Sequence, residues 1–213
     1  LVNFLRGDRS HEGSYYRQRT HVLGDIVSSE ARYVQTPLYN YLDTNYSAYK
    51  TDKTTRAGAV YVGANDGMLH AFDAITGQEL WAYIPSMVLP NLYKLADKNY
   101  PTDSTKHQFY VDNSPETGDI CPTAPTTACT AAQWKTILVG GLNRGGKGYY
   151  ALDINNPSSP ALLWEFTDQN LGYTYGNPTI TKLKDGTWVV LVSAGYNNVD
   201  GTSTADVGKG RLY

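Results

Sequence analysis

The 213-residue chain has only 2 cysteines, 2 methionines and 4 phenylalanines, and it contains no long uninterrupted hydrophobic run. The last absence excludes a membrane-spanning helix, which needs about 20 apolar residues in succession; the mean hydropathy of -0.43 agrees. An excess of positive charge is missing too. The formal net charge is -2 and the pI about 6.1, so no basic field draws in nucleic acid or anionic lipid. The histidines, His11, His21, His70 and His107, show no paired metal-ligand spacing. His70 lies in a strand-like run and reads as a packed side chain. No Gly-x-Ser-x-Gly elbow, phosphate loop or dinucleotide fingerprint occurs. The glycine-rich run from Gly140 to Gly148 joins two strand-like segments. It opens no helix, lacks the helix N-terminus that holds phosphate, and reads as a hairpin loop.

What is present points to short strands. Hydrophobic residues make up 41% and charged residues 18%, a globular balance. The 20 glycines and 18 tyrosines suit tight turns, pleated strands and a surface rich in amphipathic rings. Cys121 and Cys129 flank Pro-Thr-Ala-Pro-Thr-Thr-Ala with no histidine at metal spacing. The spacing favours a disulfide closing a small surface loop in an oxidising compartment over two free thiols. The chain starts at Leu1 without an initiator Met and stops at Gly210-Arg211-Leu212-Tyr213, in what reads as the middle of a strand. It therefore reads as an excised segment, in which targeting signals are not observable.

Along the chain, residues 1–50 read as an irregular lead-in. Leu1 to Leu5 look like the tail of a helix stopped by Gly7, and Ala31 to Val34 like a short strand. Residues 59–83 give the clearest signal. Ala59 to Gly63 is a β-branched and aromatic run, Asn65-Asp66-Gly67 a hairpin turn, Met68 to Asp73 the return strand, and Gln78 to Tyr83 a third. Leu89, Leu92 and Leu95 predict one short helix between 85 and 100, and residues 101–133 read mostly as loop, carrying the cysteines. The pattern then repeats. Ile137 to Asn143 resembles Val60 to Asn65, Gly148 to Asp153 resembles Gly67 to Asp73, and Leu162-Leu163-Trp164 stands where Leu80-Trp81 stood. A third copy starts near Val189 and runs to Tyr213. Val62 and Val139 are 77 positions apart, Val139 and Val192 only 53. Propellers accept such uneven spacing, because insertions between blade strands project from the rim. The expected fold is all-β, part of one β-propeller domain spanning 1–213. Blade units are expected at 59–83, 137–165 and 187–213, with the helix and disulfide loop inserted at 85–133. That makes an incomplete ring of about three to four blades.

The first unit carries Ala71-x-Asp73-x-x-Thr76-Gly77-x-x-x-Trp81, and the second keeps Ala151, Asp153 and Trp164. Ala71 and Ala151 leave room for a ring, the aspartates accept turn N–H groups, Gly77 supplies a positive φ, and the indoles dock on a neighbouring blade. Repeated in equivalent places, these residues read as scaffold rather than as catalytic groups. The pattern resembles the tryptophan-docking repeat of quinoprotein propellers. A closer resemblance is to the PilC/PilY family of type IV pilus proteins, carried by Leu5-Arg6-Gly7-Asp8, Leu23-Gly24-Asp25-Ile26-Val27 and Val62-Gly63-Ala64-Asn65-Asp66-Gly67-Met68-Leu69-His70-Ala71-Phe72-Asp73. It continues in Ala82 to Ser86, Leu138 to Gly141, Tyr150 to Asp153 and Gly195 to Asn198.

This resemblance implies the C-terminal propeller of a secreted, non-enzymatic adhesin, exported through the periplasm to the outer membrane and pilus tip. Such proteins promote pilus extension, attachment and twitching motility, and their partners would be minor pilins and host or surface ligands. Two other readings are a quinone-dependent dehydrogenase, which the absence of an adjacent cysteine pair disfavours, and a purely structural propeller that docks pilins. The family's calcium loop of Asp-x-Asp-x-Asn type is not found. Asn198, Asp200 and Asp206 supply oxygens, but an EF-hand register from Asn198 puts Ser203 at the required glycine and Lys209 at the required glutamate. The plainer reading there is a hairpin loop. Arg6-Gly7-Asp8 is an integrin-type tripeptide; its plainer reading is a glycine-capped helix exit with a local charge pair.

Overall fold

Paired hairpins at similar places in each repeat set the architecture. A computed structural model describes residues 1–100, 107–198 and 208–213. After the short helix α1 (Val2–Leu5), three antiparallel sheets follow in chain order. The first joins β1 (Arg32–Val34), β2 (Ala59–Ala64), β3 (Met68–Asp73) and β4 (Glu79–Tyr83), with helix α2 (Tyr46–Asp52) inserted between β1 and β2. The second joins β5 (Glu116–Ile120), β6 (Lys135–Gly140), β7 (Tyr149–Asp153) and β8 (Ala161–Phe166). The third pairs β9 (Thr179–Lys182) with β10 (Trp188–Leu191). A third strand begins there, where Val192 and Tyr213 exchange backbone bonds of 2.9 and 3.1 Å.

The first two sheets match in detail. Ala71 pairs with Trp81 and Ala151 with Trp164, and in each sheet the register shifts immediately after that alanine. Leu69 and Ala71 bury one face of the first sheet against Leu138, Tyr150 and Leu152 of the second. Ile137, Val139 and Ala151 bury the opposite face of the second sheet with Ile180 and Val190 of the third. Sheets stacked in series, each contributing both faces to successive cores, are the blades of a propeller.

Several local expectations change. Residues 101–133 hold β5, whose Gly118 and Asp119 carry little strand propensity. It forms because β6 pairs with it and because Gly118 leaves room for Ile180, whose Cγ2 would meet a Cβ at 3.0 Å. The lead-in holds α2, positioned by tertiary contacts of Tyr46 and Tyr49. The short helix after β4 is 3₁₀ over Ser86–Ala96, with Pro90 inside it. Val88, Leu92, Leu95 and Ala96 face the core while Leu89 stands 53% exposed. Tyrosine is less a surface residue than its abundance implies: Tyr46, Tyr49, Tyr61, Tyr110, Tyr149 and Tyr150 are fully buried. Among the described residues, no helix is long and apolar enough to cross a membrane.

Candidate functional site

The strand directions gather the connections onto two faces. One carries the hairpins that follow β2 and β6, together with the segments leading into β1, β5 and β9. Here the second strand of each blade ends in Gly-x-Asn: Gly63-Ala64-Asn65, Gly141-Leu142-Asn143 and Gly195-Tyr196-Asn197. Each lead-in crosses one or two of these ends at backbone contact. A Cβ on Gly63 would stand 2.4 Å from the Val111 carbonyl oxygen, and one on Gly195 would stand 1.7 Å from that of Tyr173. The Tyr110 N–H donates to Asn65 Oδ1 at 3.0 Å. The Asn143 amide donates to the Asp112 carbonyl at 2.8 Å, and Asn113 Nδ2 donates to Asn143 Oδ1 at 2.6 Å. Residues 110–113 therefore hold the first two blades at once. Thr174 does the same one blade further on, accepting from the Leu142 N–H at 2.9 Å while neighbouring Tyr173 donates its N–H to the Tyr196 carbonyl at 3.0 Å.

The second face carries the connections between the first and second strands of each blade. These also interlock. The amide of Asn45, just before α2, donates to the Cys129 carbonyl at 2.8 Å. Tyr46 gives its hydroxyl to Asp119 Oδ2 at 2.7 Å, and Thr136 gives its own to Oδ1 at 2.7 Å. Burial pushes the Asp119 carboxyl above its ordinary pKa, opposed by those two hydrogen bonds and the Arg56 charge. Trp134 packs edge-on against Trp188 at 5.8 Å and against Tyr46 at 4.8 Å.

The expected scaffold residues fall as follows. Trp81 lies on β4 and donates its indole N–H to the Pro157 carbonyl of the second blade at 2.7 Å. Trp164 lies on β8 and packs on the core shared by Ala151 and Val190. Asp73 Oδ1 accepts the N–H groups of Ile75 and Thr76 at 3.0 and 2.7 Å, and these bonds hold its carboxyl below the ordinary range. Gly77 takes φ +70°. Asp153 accepts the Asn155 N–H at 3.0 Å and pairs with Lys135. Cys121 and Cys129 form a disulfide, with Cα atoms 5.8 Å apart.

The candidate binding residues are not brought together. Arg6-Gly7-Asp8 follows α1 directly, with Gly7 at φ +107°. Asp8 turns its carboxylate to the Ser10 N–H at 2.8 Å, so the partner is Ser10 and the expected Arg6–Asp8 charge pair is not among the ion pairs of the described residues. The Asp8 and Phe4 carbonyls both accept from Arg19 at 2.9 Å, fixing the loop from beneath. Asn198 accepts the Gly208 N–H at 3.0 Å and donates to the Lys209 carbonyl at 2.7 Å, so its carboxamide is committed to closing the loop. Asp200 and Asp206 lie outside the described residues. Among the described residues, no group of three or more His, Cys, Asp or Glu side chains stands at metal-holding distance.

One cluster escaped the sequence reading. His70 is buried between two carboxylates, with Nδ1 at 2.6 Å from Glu79 and Nε2 at 3.1 Å from Asp66. Burial of the ring lowers its pKa, but the two carboxylates more than reverse this, and the net direction is upward. With an acceptor at each nitrogen, a protonated ring can donate to both carboxylates. Asp66 also receives the Gly24 N–H at 2.7 Å, tying the lead-in to the first hairpin. The spacing Asp66-x-x-x-His70 was the available signal.

Successive four-stranded antiparallel blades with interlocked faces define a β-propeller scaffold. A family model described as the PilY1 beta-propeller domain matches residues 23–212, and the chain belongs to that family. It is 43% identical over 96% of its length to a type IV pilus biogenesis factor PilY1 homolog of Xylella fastidiosa, and 43% identical over 93% to type IV pilus biogenesis factor PilY1 of Pseudomonas aeruginosa strain PAK. It spans 16% and 17% of the length of those two relatives. The crystal structure of the Pseudomonas aeruginosa PilY1 C-terminal domain superposes with a TM-score of 0.59 and 36% identity, over 78% of this chain and 32% of that one.

Proposed function

We propose that this chain is the blade scaffold of a non-catalytic pilus biogenesis and adhesion module. It acts at the pilus tip and outer membrane after export through the periplasm, promoting pilus extension, attachment and twitching motility. Its partners are minor pilins and host or surface ligands, met by the connections on the two faces. The observation that carries this reading is the interlock of those connections. Each lead-in is tied to one or two rigid blades, which presents fixed loops on a stable support, a common arrangement for recognition. Family membership supports the pilus assignment, and the Cys121–Cys129 disulfide suits an oxidising compartment. The non-catalytic reading draws on how completely the perturbed groups are occupied: His70 by two carboxylates and Asp119 by two hydroxyls.

The test is complementation. A type IV-piliated bacterium lacking its own relative of this protein is supplied with the intact gene or with one deleted for these blades. Pili are counted by electron microscopy, and adhesion and twitching are scored. Normal pili, adhesion and twitching without the blades would refute the reading. Quinone-dependent dye reduction by the purified protein would refute its non-catalytic part.

A further inference from the structure

We propose that the cleft beside the Gly140–Gly148 loop binds an acidic saccharide. Arg144 and Lys147 receive its carboxylate, and Phe109 and Tyr173 carry its sugar rings. This rests on the reading of the hairpin face as a working surface and names its ligand class. The cleft, about 630 Å³, lies between the 3₁₀ segment, the lead-in to β5 and the β6–β7 hairpin. That volume is in the range of small-ligand sites, about 300–1,000 Å³.

Three observations converge there. First, the cations lack internal partners. Arg144 is exposed, and among the described residues neither it nor Lys147 pairs with a carboxylate. The nearby Asp112 is buried and turns its carboxylate to the Ser28 N–H at 3.0 Å. Second, aromatic faces position the cations at the mouth. The Arg144 guanidinium stands 5.2 Å from the Phe109 ring centre, and the Lys147 ammonium 6.0 Å from that of Tyr173. Third, glycines press the loop onto the floor. A Cβ on Gly145 would stand 1.8 Å from the Tyr110 carbonyl oxygen, and one on Gly148 1.8 Å from Met87 Sδ. The loop is thus built in place, with its two long side chains as its only projections.

Cations, half-buried rings and the Asn91 and Gln108 amides supply the groups that a sugar acid needs. Guanidinium takes a carboxylate in two parallel bonds, the ring surface that Arg144, Lys147 and the neighbouring His107 and Tyr196 rings leave open takes the apolar face of a pyranose, and amides take hydroxyls.

The test titrates tetragalacturonate into the intact protein by calorimetry. Neutral maltotetraose, hexaglutamate and inorganic phosphate serve as comparison arms. Tetragalacturonate is expected to bind, and the joint Arg144→Ala and Lys147→Ala variant to weaken binding at least about tenfold, while Lys184→Ala leaves it unchanged. In wild-type protein the Gly145 and Gly146 amide resonances are expected to shift on titration, which reads the cleft without any variant. Absence of binding, equal binding of maltotetraose, hexaglutamate or phosphate, or unshifted Gly145 and Gly146 amides would each overturn the proposal. The measurement needs no pili. Its failure removes the saccharide site alone, whereas normal pili without the blades remove the pilus reading.

Discussion

Replacing Gly63 by alanine places a methyl group 2.4 Å from the Val111 carbonyl oxygen and 3.0 Å from Val111 Cγ1. Gly63 is not among the positive-φ glycines, so alanine meets no conformational penalty there. Fewer unfolded conformations would favour the variant by about 0.4–1 kcal/mol. The opposing contact is with backbone, and the lead-in cannot withdraw freely. Tyr110 on one side is bonded to Asn65, and the Asp112 carbonyl on the other to Asn143. Overpacking of this kind costs about 1–3 kcal/mol, and a weakened Tyr110–Asn65 bond about 1 kcal/mol more. The expected net loss is about 2 kcal/mol. Gly210→Ala is the comparison: nothing lies within 4 Å of its added Cβ, and it should be neutral or slightly stabilising. Urea unfolding followed by tryptophan fluorescence measures both at fixed m-value. A Gly63→Ala midpoint at or above that of the native protein would refute the blade-bridging role of residues 110–113.

Other outcomes follow from the same geometry. The His70 pKa is raised on folding, so its stabilising contribution is complete below its unfolded value near 6.5 and is lost as pH rises through the folded value. Urea midpoints should fall across that alkaline side in the native protein, and His70→Gln should flatten the dependence. Tyr46→Phe removes one of the two donors to the buried Asp119 carboxylate and should cost about 1–3 kcal/mol in the same assay; a cost near zero would mean that α2 does not depend on that bond. The Cys121→Ser and Cys129→Ser pair opens a loop of sequence separation 8, worth about 2–3 kcal/mol by chain entropy. Because Cys129 packs in the cluster of Trp134, the native-state tryptophan emission should shift as well.

The blade hairpins were legible because local and tertiary preferences agree in them. Asn65-Asp66-Gly67 turns where the strand pattern needs a turn, and Gly67 takes φ +95°. The Ala–Trp pairs could be read as well, since they recur with the repeat. What escaped was structure held from outside. β5 has Gly118 and Asp119 at its centre and exists because of β6 and Ile180. Helix α2 is held from outside: Tyr46 faces Trp134 and Asp119, and Lys50 reaches the Tyr39 carbonyl and Asn40. In the His70 clamp the Asp66 spacing was local, but the Glu79 partner comes from an outer strand, which that spacing does not reveal. The Gly-x-Asn ends were visible as repeats, but their work lies in contacts with the segments that cross them. The tripeptide Arg6-Gly7-Asp8 reads more plainly as a glycine-capped helix exit, and the structure places it directly after α1 with Gly7 at φ +107° and the Ser10 N–H on Asp8 Oδ1.

The lead-in segments and docked indoles make neighbouring blades one cooperative body, which native-state hydrogen exchange can measure amide by amide. The slowest amides of β3 and β7 should open with the same free energy, within about 1 kcal/mol, and Gly63→Ala should lower both together. Opening of the first sheet well below the second, with β7 unaffected by the substitution, would contradict it.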